Sequence, residues 1–121
     1  MKTTQLLYKN EILVEHCELA FDFWNRFRGL MLRSPEKFKR GNGILFNKCS
    51  SIHMFFMRFP IDVVYMDKHF KVLKIVKNLK IYSCSIGPKD SYYVLELPIN
   101  TTNEIQVGEY ISYELPPLTL R

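Results

Sequence analysis

Cysteine is scarce in this chain of 121 residues, long apolar runs are missing, and no segment repeats or falls to low complexity. Cys17, Cys49 and Cys84, odd in number and widely spaced, suit neither a disulfide framework nor the closely spaced ligands of a structural zinc site. Reduced, buried thiols are the expected state. In "MKTTQLLYKNEILVEH" the apolar "LLY" ends at once in Lys9-Asn10-Glu11, far short of a signal-peptide core or a membrane span. A cytoplasmic protein with no membrane span is the expectation. His16, His53 and His69 have no spacing that builds a metal motif. "RGNG" at 40–43 lacks the Gly-Lys-Ser/Thr ending that gives a phosphate loop its ammonium and its metal-binding hydroxyl. Neither a metal nor a cofactor is expected.

What the chain does have is aromatic bulk and positive charge. Nine Phe, seven Tyr and one Trp bury on the order of 150 to 250 Å² each when interior, and a chain of this length buries about 65% of the surface its unfolded form exposes. A single domain over 1–121 is expected, ordered over residues 3–115 and without a second core. The net charge of +5 is uneven: Arg26, Arg28, Arg33, Lys37, Lys39, Arg40 and Lys48 stand against Glu36 alone, a local +6, and the remainder is close to neutral. Such a segment is either a patch for phosphate, anionic lipid or an acidic partner, or a solvated helix end and loop. Without interleaved exposed aromatics or a nucleic-acid motif, solvated surface is the plainer reading, and no specific nucleic-acid partner is expected.

Along the chain, "TTQLLYKNEILVEHCEL" reads as two strands joined near Lys9-Asn10, where Asn10 accepts the positive φ of a tight hairpin turn. "DFWNRFRGLMLR" changes period: Phe23, Phe27, Leu30 and Met31 fall at helical spacing behind Asp22 as N-cap, and the helix is expected to end near Leu32. "SPEKF" offers Ser34 as cap and Pro35 at the first helical position, enough for one turn. "HMFFMRFPIDVVYMD", residues 53–67, is apolar on both faces under strict alternation, as in a strand covered on two sides. Pro60 cannot donate a ladder hydrogen bond, so two short strands meeting at a bend are expected there. "DKHF" supplies a turn, "KVLKIVKNL" a strand and "SIGPKD" a loop. "SYYVLELP" and "VGEYISYEL" follow as strands before Pro116 and Pro117 close the domain. Some seven strands and one clear helix make a mainly β domain, a small antiparallel sandwich or flattened barrel with one or two short helices, since one open sheet would leave an apolar face wet.

Five segments taken together, "RFRGLMLR" (26–33), "GILF" (43–46), "HMFFMRFPIDVVYMD" (53–67), "VLELP" (94–98) and "VGE" (107–109), resemble in order and spacing the uncharacterised family catalogued as domain of unknown function 192. The resemblance covers nearly the whole chain. It implies a small mainly β domain and carries no established reaction with it. One departure stands out: family members continue after "VLELP" with Ala-Gly and a short helix, whereas "INTTNEIQ" follows here. Asn100 takes the glycine's part if the backbone there is left-handed.

Ionisable residues set among apolar ones are the candidates for a site. Arg58 and Asp62 lie four apart, about 13 Å between Cα atoms on a straight strand, so they meet only if the chain bends at Pro60. They then either clamp that bend or converge with Arg26, Arg33 and Glu96 on one mouth of the domain. His53 and Cys49, also four apart, are too distant on a straight strand for a thiol-imidazole pair. Met54, Met57, Met66, Phe55, Phe56 and Phe59 read as core, or as a docking surface if exposed. The reading that follows is non-enzymatic binding of a polar or anionic ligand (small molecule, sugar or peptide) at an Arg-rimmed depression formed by Arg26, Arg33, His53, Arg58, Asp62 and Glu96. The competing readings are a hydrolase using Asp62 or Glu96 with His53, and a protein–protein accessory module.

Overall fold

Runs of apolar, β-branched and aromatic residues build nine strands within the residues that the computed structural model describes, 2–54 and 56–114. They are β1 (Thr3–Tyr8), β2 (Glu11–Ala20), β3 (Asn42–Asn47), β4 (Ser51–His53), β5 (Ile61–Met66), β6 (Val72–Leu79), β7 (Cys84–Ile86), β8 (Tyr93–Leu97) and β9 (Ser112–Glu114). Seven form one sheet in the order β6-β5-β8-β3-β2-β1-β9, while β4 and β7 pair separately. Antiparallel pairing prevails, with one exception: β2 and β3 run parallel, His16 beside Asn42 through Ala20 beside Phe46. The large sheet curls until its edges meet. Lys71, just before β6, bridges Tyr110, just before β9, and the Val72 amide donates to the Glu109 carbonyl at 2.7 Å. The mainly β class and the flattened-barrel form are as the sequence indicated.

A parallel pair needs a crossover long enough to return the chain to its starting end. Here it carries helix α1 (Phe23–Arg28) and a single 3₁₀ turn (Pro35–Lys37). Asp22 caps α1 as expected, accepting from the Asn25 amide at 2.8 Å. The helix stops at Arg28 rather than near Leu32, because Gly29 leaves helical geometry at φ 47°, ψ −126° and its amide closes on the Asn25 carbonyl. Ser34 precedes the 3₁₀ turn without a side-chain capping bond. The crossover lies over one face of the sheet, and the cationic segment lies on it.

The expectation of no second core is corrected. Ile44, Phe46, Ile61, Val63, Tyr65 and Val94 pack on one face with Leu30, Phe38, Ile52, Met54 and Met57. Leu45, Val64, Met66, Leu95 and Leu97 pack on the other with Leu6, Val14, Ile105 and Ile111. The interior strand β5, between β6 and β8, is buried at every position, which is why its sequence shows no polar face. The bend expected at Pro60 is instead a wider interruption: β4 ends at His53, β5 begins at Ile61, and the two belong to different sheets. "SIGPKD" is a loop only after Ile86, since Ser85 and Ile86 are in β7. Lys9 (φ 52°) and Asn10 (φ 65°) form the left-handed turn of the first hairpin, and Asn100 (φ 65°) has the left-handed backbone that the resemblance required of it. The thiols depart from expectation: Cys17 is buried, Cys49 half-buried and Cys84 exposed. Pro116 and Pro117 lie outside the described residues.

Candidate functional site

Glu96 is the most informative residue of the sheet. Alternation along β8 puts it on the same face as Val94, toward the crossover, and the ladder sets it directly beside Ile44 on β3 and Val63 on β5. It is 6% exposed. Its carboxyl accepts no hydrogen bond from the described residues, and removal from water pushes its pKa up to about 8, with the charge of Arg33 pulling the other way. The carboxyl lies at a cleft of about 110 Å³ whose walls include Arg26, Phe27, Leu30, Phe46, Ile52, His53 and Met57. Cys49 also lines this cleft; its thiol donates to the Ser51 carbonyl at 3.2 Å, and burial raises its pKa, so it is not an activated nucleophile.

On the far side of the turn after α1 lies an open concavity of about 530 Å³ bordered by Arg28, Arg33, Lys37 and Arg58. Arg28, Gly29 and Met31 line both hollows, which therefore adjoin. Glu18 on β2 is the acid of the concavity, and Arg33 grips it with Nη1 to Oε2 at 2.5 Å and Nη2 to Oε1 at 3.2 Å. Arg28, Lys37 and Arg58 form no ion pair among the described residues. Three cations outside these ion pairs thus share the rim with one neutralised pair, and the pKa of nearby Glu36 is lowered by a backbone hydrogen bond, with help from the charges of Arg58 and Lys37. Exposed Phe27, Leu32 and Phe56 lie alongside, and the Leu32 amide donates to the Phe56 carbonyl at 2.8 Å, joining the crossover to the segment before β5.

Five of the six residues read from the sequence border these two hollows: Arg26, His53 and Glu96 the cleft, Arg33 and Arg58 the concavity. Arg26 is held in place, its Nη1 donating to the Phe21 carbonyl at 2.6 Å and to Asn47 Oδ1 at 2.9 Å. Asp62 is not brought to them. It sits on β5 one position out of phase with Val63, hence on the opposite face of the sheet from Glu96. Its oxygens accept from the Asn78 amide at 2.9 Å and the Thr102 hydroxyl at 2.8 Å. A carboxylate pair of Asp62 and Glu96 facing one substrate is therefore not formed. Arg28 and Lys37 were passed over in the sequence although they belong to the +6 run. The run itself was the signal, but charge looks alike in sequence whether it borders a hollow or faces open solvent. Another hollow of about 370 Å³, bordered by Glu11, Arg40, Asn42, Asn100 and Glu104, sets one cation against two acids and favours no sign of ligand.

The family model described as Uncharacterized ACR, DUF192, matches residues 6–113. A UPF0127 protein of Thermococcus gammatolerans is 36% identical over 118 residues, 88% of this chain and 72% of that protein. Another from Thermococcus kodakarensis is 35% identical over 106 residues, 79% of this chain but 63% of that protein. A solved structure from Novosphingobium aromaticivorans, described as a protein of unknown function, matches with a TM-score of 0.77 at 19% identity, over 91% of this chain and 83% of that one. That likeness is one of fold.

Proposed function

The chain belongs to this uncharacterised family, and we propose that it is a binding domain for an anionic small molecule, held in the concavity of Arg28, Arg33, Lys37 and Arg58. One observation carries the reading: Arg28, Lys37 and Arg58, outside any ion pair among the described residues, border a hollow whose acid, Glu18, is already taken by the fourth cation, Arg33. Guanidinium groups present several donors in a fixed plane and recognise phosphate and carboxylate oxygens in pairs. Arg26 serves the site from beneath, fixing the start of α1 to the end of β3.

Thermal unfolding with inorganic phosphate, a sugar phosphate and a neutral sugar, against chloride at matched ionic strength, tests the reading. The two phosphates are expected to raise the midpoint, because a ligand of the folded state alone must stabilise it. The rise should shrink with added salt and disappear in the double variant Arg28→Gln, Arg58→Gln. A response to the neutral sugar alone would contradict an anionic ligand. The hydrolase reading keeps one supporting observation, the shared position of Glu96 and His53 on the cleft; turnover of phosphate or carboxylate esters that is lost in Glu96→Gln would favour it instead.

A further inference from the structure

The cleft over Glu96 and the cationic concavity share a wall but differ in chemistry. The concavity is open and charged; the cleft is bordered by buried Leu30, Phe46, Ile52 and Met57 and holds about 110 Å³, the volume of about four water molecules. A carboxyl that is nine-tenths buried, accepts no hydrogen bond from the described residues and opens onto walls that are apolar at Leu30, Phe46, Ile52 and Met57, though cationic at Arg26 and Arg28, is poorly served by the protein itself. Resting on the anion-binding reading, we propose that the ligand is amphipathic: its anionic group lies on Arg28, Arg33, Lys37 and Arg58, and a short apolar limb reaches past Gly29 into the cleft and covers the Glu96 carboxyl.

Gly29 suits this path. It has no side chain at the boundary of the two hollows, and a Cβ there would come within 3.2 Å of the Phe46 ring that borders the cleft. Covering Glu96 with hydrocarbon disfavours its ionised form further, so the limb binds best when the carboxyl is protonated and less well as pH rises through its folded value. The ionisable groups around it are Arg26 on α1, Arg28 and Arg33 at and beyond the helix end, Cys49 after β3, His53 on β4 and Tyr65 on β5.

Calorimetric titration of the full chain with inorganic phosphate, n-butyl phosphate and glycerol 3-phosphate at pH 7 and pH 9.5 tests the limb separately from the anion site. Butyl phosphate is expected to bind about tenfold tighter than phosphate at pH 7, the effect of burying one or two methylenes, and glycerol 3-phosphate no tighter than phosphate. The ratio of butyl phosphate to phosphate affinity should fall severalfold at pH 9.5 and hold constant in Glu96→Gln. The wild-type ratio decides the matter even if that variant fails to fold. Equal affinities for phosphate and butyl phosphate would overturn the limb and leave the anion site standing; binding of neither would overturn the anion site itself.

Discussion

Glu96 carries the largest physical signal held by one residue. Flanked in the ladder by Ile44 and Val63, it keeps its proton to about pH 8 against an ordinary 4.5. The folded state therefore binds a proton that the unfolded chain has released. Stability is greatest below pH 4.5 as far as this group is concerned, falls as pH rises toward 8 and is level beyond it. Denaturant unfolding from pH 5 to 9 should show wild type losing a few kcal/mol relative to Glu96→Gln, whose contribution does not titrate; parallel profiles would mean that the carboxyl is hydrated. Gly87 is a second residue with a definite expectation. A Cβ there would collide with the Tyr65 ring and Ser91 Oγ, so Gly87→Ala should cost about 1 to 3 kcal/mol by overpacking, read from the shift in the denaturation midpoint.

At the scale of elements, the crossover between β2 and β3 decides where function sits. Its helix and turn were legible because their signals are local: the Asp22 cap, the helical spacing after it and the proline of "SPEKF". The turn at Lys9-Asn10 was legible for the same reason, since few residues tolerate positive φ, whereas the left-handed Asn100 was expected only through the family resemblance. Strand partners were not. Alternation marks a strand but says nothing about its neighbour, so the parallel pairing of β2 with β3 and the separate ribbon of β4 with β7 could not be read. The same limit hid the role of Asp62, whose acceptors' partners, Asn78 and Thr102, lie 16 and 40 residues away. Asp62 joins β5 to the end of β6 and to the loop after β8. Asp62→Ala leaves the buried Thr102 hydroxyl without its partner and returns the amide of exposed Asn78 to solvent, and should cost about 1 to 3 kcal/mol. Phosphate affinity, measured on the folded fraction, should be unchanged.

For the whole molecule, the charge is what the fold redistributes. A local +6 between positions 26 and 48 could have been spread over solvated surface, and part of it is: Lys39 and Lys48 are exposed and border neither hollow. The curled sheet draws Arg28, Arg33 and Lys37 together and brings Arg58 to them from the segment before β5. Clustered cations repel, so phosphate bound among them should stabilise the fold more strongly at low ionic strength than at high. The most direct measurement is a titration with inorganic phosphate followed by amide chemical shifts at low salt. Saturable shifts centred on residues 28–37 and 57–58 are predicted, with little change around the hollow of Glu11, Arg40 and Glu104. Shifts centred on that other hollow, or none that saturate, would contradict the account.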